Sequence, residues 1–82
     1  MKEDIKYTSI DDLSPREWEV MNYMVKGNSD RKVGKILGIS PRTARFHVDT
    51  VKDRLGLPTR VAVADWFGWQ RGQRMAQKSS DI

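Results

Sequence analysis

The sequence predicts an all-α fold of four helices, and three observations carry that expectation. Ser14, Ser29, Ser40 and Thr59 each stand just before a stretch with helical character, where a side-chain hydroxyl can accept from first-turn amides. Gly27, Gly38 and Gly56 each follow such a stretch, where a left-handed residue ends a helix. Between these marks the apolar residues recur at helical spacing, and no segment alternates as a strand would.

The first helix opens on Ser14-Pro15-Arg16-Glu17, a capping box in which Ser14 accepts from the Glu17 amide while the Glu17 side chain reaches back. Pro15 falls at the first helical position, where its missing donor is harmless. Leu13 and Trp18 stand where a hydrophobic staple forms, and Trp18, Met21 and Val25 give the inward stripe up to Gly27. Ser29 caps a short second helix through Leu37, with Val33, Ile36 and Leu37 inward and Arg31 and Lys35 outward. After Gly38-Ile39, Ser40 already caps the third helix, which starts at Pro41 and runs to Leu55. There Gly56 allows a Schellman ending and Pro58 blocks continuation. Thr59 caps a fourth helix from Arg60 to about Gln70. The expected organisation is a loose N-terminal arm over 1–12, a helical domain over 13–70 and a frayed polar tail over 71–82.

Composition narrows the function. The 82 residues include no cysteine and a single histidine, which removes disulfides, thiolate chemistry and histidine metal clusters, so no metal or cofactor is expected. No nucleophile stands with a base, and the expectation is a protein that is not an enzyme. Apolar runs are too short for a membrane span or a signal-peptide core, so a cytoplasmic protein without a membrane partner is expected. The net charge of +4 is unevenly placed: residues 1–13 sum to −2 and residues 41–60 to +3. A basic middle behind an acidic arm is a weak pointer to a polyanion.

Two short helices joined by a tight glycine-containing turn form a helix-turn-helix, in which the second helix projects from the body. Val33, Leu37, Ile39 and Ala44 are the residues expected to lock that crossing, with Gly34 and Gly38 letting the backbones approach. At 100° per residue from Ala44, the residues Val48, Val51 and Leu55 fall within about 40° and form the buried face. Arg42, Arg45, Phe46, Asp49 and Asp53 lie opposite, with Lys52 at the edge. Phe46, at about 200°, faces away from the core: it is a chance surface aromatic, a ring covered by the arm, or a contact to a thymine methyl or a partner protein. Arg45 has the reach for guanine O6 and N7. His47, at about 300°, flanks the core and is expected to be structural. Arg31, Lys32, Lys35, Arg54 and Arg60 form a basic rim suited to phosphates, joined by the capping amides at Ser29 and Ser40. Asp49 and Asp53 counter the positive face and could pair with Arg45 and Lys52 at helical spacing.

The fourth helix is too apolar for a lone surface helix. Trp69, Ala62, Trp66, Val63 and Phe67 span about 160°, more than a stripe of about 100° requires. One tryptophan completes the core, and the excess predicts self-association in a two-fold dimer through Val61, Asp65, Trp66 and Trp69.

The stretch Leu13–Trp66, about two-thirds of the chain, resembles the LuxR-type DNA-binding domain of bacterial transcription regulators. The matching residues are Leu13-Ser14-Pro15-Arg16-Glu17, Glu19-Val20, Gly27, Gly38-Ile39-Ser40, Thr43, His47, Leu55-Gly56 and Arg60. The C-terminal domain of RNA polymerase sigma factors is a poorer match. The resemblance implies a four-helix domain whose third helix enters the major groove and whose fourth makes the dimer contact. It also implies base contacts from Arg45, Phe46 and Asp49, beside which the helical face sets Arg42. Phosphate contacts are implied at the start of the second helix and at Thr43; Lys52, at the edge of the outward face of the third helix, is a further phosphate candidate from its position. Departures from the family pattern are Lys32 for Glu, Gly34 for Ala, Ala44 for Val, Phe46 for a smaller side chain and Asp49 for Lys.

Relatives usually carry this domain behind a receiver or ligand domain, and 12 residues are too few for one, so a free-standing regulator is expected. The expected function is a homodimeric, sequence-specific transcription regulator that binds double-stranded DNA in the nucleoid, with RNA polymerase as a further partner. The alternative is an interaction module that heterodimerises with another LuxR-type regulator and inhibits it.

Overall fold

The computed structural model describes residues 6–80, and the side chains of residues 6–73. Its four helices are α1 (Pro15–Met24), α2 (Asp30–Leu37), α3 (Pro41–Leu55) and α4 (Arg60–Ser80), and no strand occurs among the described residues. The helix starts follow from the hydroxyls. Ser14 Oγ accepts from the Glu17 amide at 3.2 Å while Glu17 Oε1 accepts from the Ser14 amide at 2.9 Å, closing the box. Ser29 accepts from Lys32, Ser40 from Thr43, and Thr59 from Ala62 at 3.1 Å.

The ends follow from glycine. Gly56, at φ +71°, closes α3 as a Schellman motif: its amide donates to Asp53 O and the Leu57 amide to Lys52 O, both at 3.1 Å. Gly38, at φ +73°, ends α2, and the Ile39 amide then returns to Gly34 O at 2.9 Å.

Val20, Met21, Val33, Ala44, Val48, Val51, Val63 and Phe67 form the centre of the core. Trp18 and Trp66 pack against it, and the Trp18 and Phe67 ring centroids lie 4.9 Å apart. Several expectations about the stripes need correction. Val20, not anticipated, is fully buried, whereas Trp18 and Val25 are half-buried; α1 is gripped on two sides and its buried face is turned toward Glu17 and Val20. Ile36 was expected inward but is 42% exposed, because α2 seats Val33 and Gly34 against α3. Leu55 is half-buried.

The chain before Leu13 is not loose where it is described. Ile10–Asp12 form a 3-10 turn capped by Ser9, and Tyr7 and Ile10 are buried in the core. The Tyr7 amide donates to Arg54 O at 2.8 Å, and the Ile10 amide donates to Gln70 Oε1 at 3.2 Å. Amides of Thr8 and Ser9 donate to the Asp12 carboxylate and hold its pKa below the usual range. Ser9 and Asp12 repeat the capping-box spacing of Ser14 and Glu17, a signal that was present in the sequence.

At the other end, α4 continues past Gln70 to Ser80 instead of fraying. Residues 71–80 hold no proline and no β-branched residue, and Arg, Gln, Met, Ala and Lys there favour the helix despite Gly72. Residues 1–5 of the expected arm and 81–82 of the expected tail lie outside the described residues.

Candidate nucleic-acid interface

The α2–α3 pair is locked by backbone contact. A Cβ at Gly34 would lie 2.5 Å from Ile39 O and 3.2 Å from Pro41 N, so only glycine lets the turn close so tightly. The other anticipated close approach does not occur: around Gly38 a Cβ would meet open space, and its glycine serves the left-handed backbone. Ala44, Val48 and Val51 pin α3 to the body, which leaves its opposite face outward.

On that outward face Arg42, Arg45 and Phe46 are exposed, Phe46 at 63%. The described part of the N-terminal stretch, from residue 6 on, does not cover the Phe46 ring: Tyr7 runs to Arg54 and Glu17, and Ile10 to Gln70. The ring instead meets its neighbour His47 edge to face, with centroids 5.8 Å apart and planes at 65°. Asp49 is half-buried and Asp53 exposed. Neither makes the expected pairing with Arg45; the observed pair is Lys52 Nζ with Asp53 Oδ1 at 3.5 Å, between neighbours in sequence.

The basic rim divides into two groups. Arg31, Lys32 and Lys35 on α2 are exposed, and together with Arg42 and Arg45 they have no acidic partner among the described residues. Arg54 and Arg60 are engaged. Arg54 Nη1 donates to Tyr7 Oη at 3.3 Å, with its guanidinium 5.5 Å from the Tyr7 ring centre. Arg60 grips Asp30 with two hydrogen bonds, of 2.6 and 3.1 Å. That bidentate pair ties the start of α4 to the start of α2. Asp30 was not singled out in the sequence, and no local periodicity links positions thirty residues apart.

The Ser29 and Thr43 hydroxyls stand exposed at the starts of α2 and α3, each used in its own cap: Ser29 accepts from Lys32, and Thr43 Oγ1 accepts from the Ser40 hydroxyl at 2.9 Å. A further polar centre was also missed. The buried Glu17 carboxylate accepts from Tyr7 Oη at 2.8 Å as well as from Ser14. Burial, then the bond to Glu17, raises the Tyr7 pKa.

On α4, Val61 is 70% and Trp69 60% exposed, Asp65 is exposed and Trp66 half-buried. The anticipated dimer residues therefore form an accessible strip, while Val63 and Phe67 fill the core. Among the described residues no helix is long and apolar enough to cross a membrane.

Residues 11–67 match the family described as bacterial regulatory proteins, luxR family. The transcriptional regulatory protein MctR of Rhizobium johnstonii is 37% identical over 53 residues, 65% of this chain and 25% of that protein. The nitrate/nitrite response regulator protein NarP of Escherichia coli is 32% identical over 60 residues, 73% of this chain and 28% of its own length. The transcriptional activator protein BjaR1 of Bradyrhizobium diazoefficiens is 42% identical over 49 residues, 60% of this chain and 20% of that protein. The chain thus spans little more than a quarter of these relatives at most. With the match covering well over half of its residues and the four-helix architecture in place, the chain belongs to the LuxR family of bacterial regulatory proteins and carries its helix-turn-helix domain.

Proposed function

We propose that this protein is a sequence-specific, DNA-binding transcription regulator that acts as a homodimer and inserts α3 into the major groove. The observation that carries the reading is the outward face of α3, where Arg42 and Arg45 have no acidic partner among the described residues and Phe46 stands open inside the family-matched segment. In this reading Arg42, Arg45, Phe46 and Asp49 meet base edges. Ser29, Arg31, Lys32, Lys35, Thr43 and Lys52 meet phosphates, aided by the amides at the start of α2. Arg54 and Arg60 border the same surface, but their bonds to Tyr7 and Asp30 make them holders of the scaffold before they are phosphate ligands. Val61, Asp65, Trp66 and Trp69 meet their counterparts across a two-fold axis. The domain over 13–70 is the reading unit, and the place of action is the bacterial nucleoid, in the cytoplasm.

The test is selection of bound duplexes from a random library at stated salt. An inverted repeat with half-sites about 10–10.5 bp apart, centre to centre, is the expected result. Arg45→Ala should then cost about 1–3 kcal/mol and relax the preference at one base pair. A library without any enriched repeat overturns the reading.

A second reading has its own support. The Asp49 and Asp53 carboxylates on α3 oppose DNA, and the exposed α4 strip suits a heterodimer with another LuxR-type regulator that the chain would inhibit. A gel shift by the purified protein alone disposes of it.

A further inference from the structure

Phe46 is the apolar member of the outward face of α3, and its chemistry narrows what it can meet on a base edge. A phenyl ring offers no hydrogen bond, so it gains nothing from a phosphate, a guanine edge or an adenine edge. The single apolar group that the four bases display in the major groove is the methyl on C5 of thymine, and the same methyl appears on 5-methylcytosine. Successive side chains on a helix diverge by about 100° and ordinarily do not touch. Phe46 and His47 nonetheless meet edge to face, with centroids 5.8 Å apart. His47 is half-buried at the flank of the core, so it acts as a fixed post against which the open ring leans. A ring held in one position loses little freedom when a ligand meets it. Arg42, one turn before Phe46, and Arg45, beside it, supply the positive charge that brings a duplex to this face.

Resting on the DNA-binding reading above, we propose that Phe46 reads the C5 methyl of a pyrimidine at one position of each half-site. His47 is the positioning residue that holds the ring for it.

The test uses the best duplex from the library selection, with each thymine replaced in turn by uracil, which removes the methyl and leaves the base pair intact. Burial of one methyl corresponds to about a fourfold change in affinity, so one position per half-site should weaken by about that factor. At that position 5-methylcytosine should outbind cytosine by a similar factor if the methyl itself is read. Phe46→Ala should bind the thymine and uracil duplexes equally. His47→Asn should shrink the thymine-to-uracil ratio with unchanged helix content, and His47→Tyr, which restores a ring edge, should keep it. Equal binding of thymine and uracil duplexes by the natural protein overturns the proposal while leaving the regulator reading intact. A ratio that survives Phe46→Ala overturns it as well. If no duplex is enriched at all, both readings fall together.

Discussion

The pair Asp30–Arg60 shows how a residue's role depends on its partner. Arg60 reads in the sequence as one more cation on a basic rim, yet both of its hydrogen bonds go to Asp30 across the start of α2. The pair is partly exposed, so screening leaves about 1 kcal/mol to it, near the top of the surface range because the contact is bidentate. Arg60→Ala and Asp30→Ala should each lower the unfolding free energy by about that much, and the double variant by little more, measured in urea. Losses that add fully would show two independent residues. Tyr7 makes a second case. Its hydroxyl joins the buried Glu17 carboxylate to Arg54, so Tyr7→Phe should cost about 1–2 kcal/mol. Burial and the Glu17 bond raise its pKa in the folded state above the value of 10.0 in the unfolded chain. The folded protein therefore holds the phenol proton more tightly, and this contribution is complete below about pH 10 and is lost as pH rises through the folded-state pKa. Urea midpoints from pH 8 to 11 should fall more steeply for the natural protein than for Tyr7→Phe; parallel curves would remove the phenol from the account.

Helix boundaries were the most legible part of the structure because each has a local chemical cause. Ser14, Ser29, Ser40 and Thr59 cap their helices by hydrogen bonds of one-turn reach, and Gly38 and Gly56 end theirs through positive φ. The outward placement of Arg42, Arg45 and Phe46 was legible too, since Ala44, Val48 and Val51 leave a single solution for the inward face of α3. What could not be read depends on contacts distant in sequence: Tyr7 with Arg54, Asp30 with Arg60, and the exposure of Ile36, which follows from how deeply α2 sinks against α3. The two turn glycines illustrate the difference. Both looked like places of close approach, but space is short at Gly34 alone. Gly34→Ala pushes a Cβ against backbone atoms that cannot rotate away, and should cost about 1–3 kcal/mol by thermal melting, beyond any gain in helix propensity. It should also open the α2–α3 turn and reduce DNA affinity in proportion to the misplacement of α3. Gly38→Ala meets only backbone strain at φ +73° and should cost about 1–2 kcal/mol while leaving the α3 face in place. Equal loss of DNA binding in both variants would break the link between this turn and the reading face.

At the scale of the whole molecule, the homodimer proposed above requires a surface that sets two copies of α3 apart. The α4 strip repeats Val61, Asp65 and Trp69 four residues apart, so all three share one face, and its two large apolar members are 70% and 60% exposed. Trp66 is unsuitable as a probe, because it also packs on the core and its loss would disturb fold and contact together. Trp69 is free of that difficulty. Trp69→Glu should change the unfolding free energy of the single chain by only about 0.5–1 kcal/mol, since most of the residue is exposed and it stands outside the core. The same substitution sets two carboxylates against each other across a two-fold axis and should shift the sedimenting species from twice 9.5 kDa to 9.5 kDa. Once the two reading helices are no longer linked, binding to an inverted repeat should fall by about a hundredfold or more, toward the affinity of one half-site. The slope of log affinity against log salt should fall by about half, because half as many phosphates are contacted per binding event. A natural protein that sediments at 9.5 kDa when free and adds a single 9.5 kDa copy to its preferred duplex would rule out the homodimer and return the α4 strip to a different partner.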